Sequence, residues 1–120
     1  MRIISLIIVH CSAVTPDQTS SAAQIDTWHR DRGWKFGIGY HYVIRRNGEI
    51  EPGRPEWMVG AHCVNHNSHS IGVCYEGGLD IRGQPADTRT VAHSGFRYTA
   101  ALQDCRLQPL QCLDRLLLWW

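Results

Sequence analysis

Residues 3–13 read IISLIIVHCSA. A run of Ile, Leu and Val this short cannot cross a membrane, and its β-branched character marks a buried strand. The run stops abruptly at His10, Cys11 and Ser12. In open α/β sheets, ligand sites are built at the carboxyl end of central strands. A histidine there either aims an imidazole into a cleft or is a core residue satisfied by a neighbour. The rest of the chain has to separate the two.

The whole chain has 120 residues, enough for one domain with a modest core. Apolar residues make up 43% and charged ones 19%, within the globular range. A formal net charge of +1 gives no electrostatic basis for binding nucleic acid or an anionic membrane. Met1 and Arg2 before an apolar run resemble the start of a signal peptide. That run is short, contains Ser5 and leads into His10 instead of a cleavage site. The expectation is therefore a mature protein without a signal peptide, made in the cytoplasm. No segment approaches the roughly 18 apolar residues of a membrane span. The five cysteines, Cys11, Cys63, Cys74, Cys105 and Cys112, are odd in number and form no C-x-x-C pair. This argues against a disulfide framework or zinc ribbon and for small buried hydrophobes. Seven histidines, six of them at or before His69, are one way to gather metal ligands.

Outward from the first strand, residues 14–20 form a polar loop containing Pro16. Ser21 and Gln24 fit a capping box, and Ala22, Ile25, Trp28 and His29 share one helical face. Gly33 is a natural stop. Trp28 and His29 read as packed core residues. A second strand follows at 40–46 (YHYVIRR), with Tyr40, Tyr42 and Ile44 on one side and His41, Val43 and Arg45 on the other. Asn47-Gly48 predicts a two-residue hairpin turn. The return strand, 49–54, carries Pro52 and belongs at an edge. Residues 57–62 are a short apolar piece ending in His62, and 63–70 are a polar loop. Residues 71–75 (IGVCY) are another buried strand, closed by Glu76-Gly77-Gly78. Glu76 reads as a structural turn residue, Cys74 as core, and residues 80–83 as a turn. Beyond Thr90, Ala101, Leu102, Cys105, Cys112, Leu113, Leu116 and Leu117 can be laid on a helix face that Pro109 interrupts.

Five blocks, VHCSA at 9–13, WHRDRGW at 28–34, GYHYVIRRNG at 39–48, VGAH at 59–62 and NSHSIGVCYEGG at 67–78, together resemble one family. In order and spacing they look like the zinc-dependent N-acetylmuramoyl-L-alanine amidases, the group of the phage T7 lysozyme type, related to peptidoglycan recognition proteins. The resemblance implies an α/β single domain with a central mixed β-sheet flanked by helices. It implies hydrolysis of the amide between N-acetylmuramic acid and the L-alanine of the stem peptide in bacterial peptidoglycan. It also implies a Zn2+ held by two histidines and a cysteine or aspartate, with water in the fourth position. By this resemblance His10 is the first zinc ligand and Tyr40 the catalytic tyrosine, although a strand tyrosine packing across the hairpin reads the same way. His62, Asn67 and Ser68 match substrate-contacting positions.

The sequence departs from that family near its end. The G-H-R-D-like and K-x-C-P-like blocks, which carry the second and third zinc ligands and a lysine, do not occur. The sole lysine is Lys35, and His93 is the only later histidine. The zinc site is thus expected to be incomplete. His41 is a poor substitute ligand if it faces away from Tyr40, and His62 a better one. Residues 1–90 read as an incomplete amidase-like domain and 91–120 as an atypical tail of the kind a frameshift near codon 90 produces. The functional expectation is a peptidoglycan hydrolase impaired as written. The alternatives are a non-catalytic peptidoglycan-binding module or a non-functional fragment. A monomer acting on the cell wall after release, with no nucleic-acid or membrane partner, completes the expectation.

Overall fold

The computed structural model describes residues 2–89. The element order is β1 (Leu6–Cys11), α1 (Ala22–Asp31), β2 (Tyr42–Ile44), β3 (Ile50–Pro52), a single 3-10 turn (Asn67–His69) and β4 (Ser70–Tyr75). The four strands form one mixed sheet in the order β1-β4-β2-β3. β4 is parallel to both β1 and β2, and β3 closes the edge antiparallel to β2.

The central strand is β4 and not β1, which lies at one end of the sheet among the described residues. All six residues of β4 are buried, as expected for a strand hydrogen-bonded on both sides. Its register sets His10 beside Cys74 and Cys11 beside Tyr75. One face of the sheet gathers Val9, Cys11, Ile44, Ile71, Val73 and Tyr75. The other gathers Val43 and Cys74 with Ile25 of the helix, Ile38 and Tyr40. Burying such Ile and Val side chains contributes about 1.5–3 kcal/mol each.

The helix follows its sequence signals closely. Ser21 Oγ accepts the Gln24 N–H and Gln24 Oε1 accepts the Ser21 N–H, completing the capping box. Ile25 and His29 are buried on the inner face, with Trp28 packed beside them. At the far end Gly33 adopts φ +88, and the Trp34 N–H bonds back to His29 O at 3.1 Å. A left-handed residue there costs glycine little.

Two local expectations need correction. The hairpin loop has three residues, not two. Arg45 N–H bonds Glu49 O at 2.8 Å and Gly48 N–H bonds Arg45 O at 2.9 Å, with Gly48 at φ +89. Asn47 keeps a negative φ, so the type I′ geometry that needs two left-handed residues is replaced by a turn with a bulge at glycine. The side-chain alternation of residues 40–46 also fails at its start. Tyr40 shares a cluster with Val43, while Tyr42 packs against the opposite one with Ile44. The strand begins only at Tyr42, after a bend at His41, and the bend turns Tyr40 to the helix side.

Other readings hold. β3 ends on Pro52 at the sheet edge, as a strand residue lacking an N–H requires. Gly83 N–H bonds Asp80 O at 2.9 Å, closing the expected turn. The tail from residue 91, with its helical periodicity and Cys105 and Cys112, lies outside the described residues.

Candidate active site

His10 sits on the helix side of the sheet, at the carboxyl end of β1, and is 3% exposed. Its Nε2 lies 2.9 Å from Nδ1 of His62, which the loop after residue 57 carries over β4. Room for the His62 ring comes from Gly72 in the middle of β4. A Cβ at that position would stand 2.5 Å from the ring's Cγ and Cδ2. A glycine inside a strand often marks such a close approach.

His62 is held at three points. Asn67 Oδ1 accepts the backbone N–H groups of His62 and Cys63, each at 2.9 Å. Ser70 Oγ lies 3.2 Å from His62 Nε2. Both His62 nitrogens are therefore engaged, and one proton lies between the two imidazoles. Burial pushes the His10 pKa down to about 3. Burial, followed by the charges of His10 and His41, pushes His62 down to about 2. The pair is neutral at pH 7, which is the state in which imidazoles ligate metals or accept protons.

Tyr40 closes the cluster. Its ring centroid is 5.3 Å from that of His10 and 6.4 Å from that of His62. Burial, and the Cys74 and Cys11 thiols next to it, drive its phenol well above the ordinary value, so it stays protonated. His29 lies behind it, with ring centroids 5.7 Å apart, and accepts the Gly39 N–H at 3.0 Å. That is the packed structural histidine expected from the helix face.

His41 has a separate task. Its Nδ1 accepts the Gly72 N–H at 3.0 Å and its Nε2 donates to Met58 O at 2.7 Å. It ties the middle of β4 to the 57–60 loop. Glu76 is structural as expected, accepting from Ser20 N–H, Arg46 N–H and Arg45 Nε.

Of the residues singled out in the sequence, His10, Tyr40 and His62 converge. Asn67 is adjacent, but its carboxamide oxygen serves the His62 loop. Ser68 is exposed, with its hydroxyl 3.3 Å from His69 Nδ1. The sequence reading missed Ser70 as the partner of His62 and Gly72 as the space for its ring. Gly72, alone inside an Ile/Val/Cys strand, was the available signal; Ser70 offered none.

Zinc can be tested against this geometry. Two nitrogens on one tetrahedral zinc, at Zn–N of about 2.0–2.1 Å, stand roughly 3.3 Å apart. His10 and His62 face each other at 2.9 Å, a hydrogen-bond distance. Among the described residues no group of three His, Cys, Asp or Glu side chains could hold a metal ion. The described residues therefore do not fit a complete zinc site.

Comparison with known proteins points one way. The family model described as N-acetylmuramoyl-L-alanine amidase matches residues 1–108, a range that runs past residue 90. The endolysin of Escherichia phage T7 is 46% identical over 78 residues, covering 65% of this chain and 51% of the endolysin. The chain thus spans about half the length of that relative. Peptidoglycan-recognition protein SC2 of Drosophila melanogaster is 34% identical over 80 residues, covering 62% of this chain and 43% of its own. Among solved structures, the N-acetylmuramoyl-L-alanine amidase LysC from Clostridium intestinale URNW superposes with a TM-score of 0.56 at 38% identity. That match covers 63% of this chain and 48% of LysC.

Proposed function

The chain belongs to the N-acetylmuramoyl-L-alanine amidase family, and from that premise we propose that it is a peptidoglycan hydrolase. The bond cleaved is the amide between N-acetylmuramic acid and the L-alanine of the stem peptide. The observation that carries this reading is the convergence of His10, Tyr40 and His62 at the carboxyl end of β1, within the stretch that matches the family.

The roles follow from protonation and position. Tyr40, kept protonated by burial, can donate a hydrogen bond to the oxyanion that develops as the amide carbon becomes tetrahedral. His10 and His62, both neutral, present imidazole nitrogens beside it. Asn67 and Ser70 hold His62 so that its Nδ1 keeps facing His10. Asn67 and Ser68 would flank the substrate on the loop leading into β4. Because the described residues supply only two converging imidazoles, no step is assigned to zinc.

That same shortage favours a second reading, a peptidoglycan-binding module without hydrolysis. The resemblance to peptidoglycan-recognition protein SC2 supports it. Two measurements on the purified full chain separate the readings. One is zinc content by elemental analysis. The other is sedimentation with purified cell wall, followed by mass spectrometry of the supernatant. Zinc near one equivalent with free stem peptide supports the hydrolase. Co-sedimentation without zinc or free peptide selects the binding module. No helix among the described residues is long and apolar enough to cross a membrane.

A further inference from the structure

Two further histidines, His66 and His69, lie outside the cluster built on His10. His66 immediately precedes the 3-10 turn Asn67–His69, and His69 ends it. Side chains three apart eclipse in such a turn. The two imidazoles are thereby brought together, with His66 Nδ1 3.4 Å from His69 Nε2. Both residues are half-buried and stand among the exposed Val64, Asn65 and Ser68, so the pair is open to solvent.

We propose that His66 Nδ1 and His69 Nε2 form a second metal site, a two-imidazole site for a borderline divalent cation of the zinc class, separate from the His10–His62 pair. Spacing carries the assignment. Two nitrogens on one tetrahedral zinc stand roughly 3.3 Å apart. His10 and His62 meet at a hydrogen-bond distance of 2.9 Å, whereas His66 and His69 stand at 3.4 Å, long for a hydrogen bond and matched to an ion between them. The ring centroids are 5.4 Å apart, close to the about 5.2 Å of two imidazoles converging on one such ion. Ser68 Oγ lies 3.3 Å from His69 Nδ1. A proton on Nδ1 directed at that hydroxyl leaves Nε2 with its lone pair toward His66. Imidazole pairs suit Zn, Cu and Ni; Mg2+ and Ca2+ need oxygen ligands. Among the described residues no third His, Cys, Asp or Glu joins the pair, so water fills the other positions. With two protein ligands the site exchanges its ion with the buffer. It is therefore read by titration and not by the metal content of the purified chain.

The backbone under the pair is already fixed, as a binding site requires. Asn65 adopts φ +72, and the His66 N–H bonds Cys63 O at 3.0 Å. The Ser5 N–H bonds His69 O at 2.9 Å. Arg2 Nη1 donates to Asn67 O at 3.3 Å and to Ser70 O at 2.9 Å. An ion on the two rings would tie together the residues that flank Asn67, whose carboxamide holds the His62 loop.

The test titrates the metal-free full chain with ZnCl2 by calorimetry, with MgCl2 as the control. His10→Ala serves as the background, so that zinc held by the first pair is not counted. One equivalent of Zn2+ and no Mg2+ should bind in that background. His66→Gln or His69→Gln added to it should weaken binding by at least about 10-fold, the lower bound for losing even an outer partner of a ligand. The rise in thermal midpoint with zinc should disappear with it. Thermal transitions in EDTA show that each variant folds. Nitrogen-15 NMR of the parent chain needs no variant: zinc should shift the ring signals of His66 and His69. Absence of zinc binding in the His10→Ala background, binding that survives both glutamine substitutions, or unmoved His66 and His69 signals in the parent overturns the assignment.

Discussion

Replacing Glu76 with Gln is the most informative perturbation of the frame that carries the site. Glu76 is 3% exposed at the end of β4. Its Oε2 accepts the Ser20 N–H at 2.6 Å and Arg45 Nε at 3.2 Å, and its Oε1 accepts the Arg46 N–H at 2.9 Å. One carboxylate thus joins β4, the entry to α1 and the end of β2. Glutamine is isosteric but offers one oxygen and one NH2. Whichever way it turns, the NH2 faces either the Ser20 or the Arg46 N–H, and that donor is orphaned. Losing a charge-assisted bond costs about 1.5–3 kcal/mol and an orphaned buried donor about 1–3. The two costs overlap, and Arg45 is 24% exposed with Glu51 also 3.5 Å away, so its lost partner adds little. The expected loss is about 3–4 kcal/mol by urea denaturation of the full chain at pH 7.

The pH dependence supplies the sharper check on Glu76. Burial alone would raise its carboxyl pKa. The Ser20 and Arg46 N–H groups and Arg45 outweigh that and hold it below the ordinary value. A depressed folded value means that the stabilisation is complete above the unfolded-state value of about 4.3 and is lost as pH falls through the folded one. The gap between parent and Glu76→Gln should therefore shrink below about pH 4. A loss under about 1 kcal/mol at neutral pH, or a gap that stays constant into acid, would refute the hydrogen-bond reasoning.

Further outcomes follow from neighbouring geometry. His29 is buried, and burial, then the charges of Arg32 and Arg54, lower its pKa to about 4. Below about pH 6.5 the unfolded chain takes up a proton that the folded chain refuses, so stability falls between pH 6.5 and 4. His29 alone should account for about 2 kcal/mol of the loss by pH 5, and His29→Gln should reduce the slope by that share in urea titrations, leaving the part that the buried His10 and His62 contribute. Ser21→Ala removes the helix cap and should cost about 1 kcal/mol by the same measurement. Gly72→Ala drives a Cβ to within 2.5 Å of the His62 ring. Wall hydrolysis should fall steeply while the chain still unfolds cooperatively; unchanged hydrolysis would show that His62 need not sit there. Asn67→Ala frees two backbone donors and should cost about 2 kcal/mol.

The parts of the fold that were legible in the sequence are those where local chemistry decides. The capping box at Ser21 and Gln24, the stop at Gly33, the edge strand ending at Pro52 and the buried strand at Ser70–Tyr75 follow from neighbours within a few residues. Strand order is a non-local property. Nothing in residues 3–13 says that Ser70–Tyr75 will take the centre and leave Leu6–Cys11 at the end of the described sheet. The bend at His41 is also non-local, since it depends on His41 N–H reaching Gly72 O at 2.8 Å. It turned Tyr40 to the helix side against a simple alternation. For the site, His10 was legible as a strand end, and the ordered blocks added Tyr40 and His62. Ser70 was illegible, because a serine opening a strand looks alike whether or not an imidazole lies above it.

The most direct measurement is the appearance of new amino-terminal L-alanine when the purified full chain is incubated with purified peptidoglycan, read by end-group labelling and mass spectrometry. An amidase predicts rising amino-terminal alanine with no new reducing sugar ends, abolished by His10→Ala. No increase in amino-terminal alanine from a chain that folds and sediments with the wall would contradict hydrolysis and leave binding as its activity.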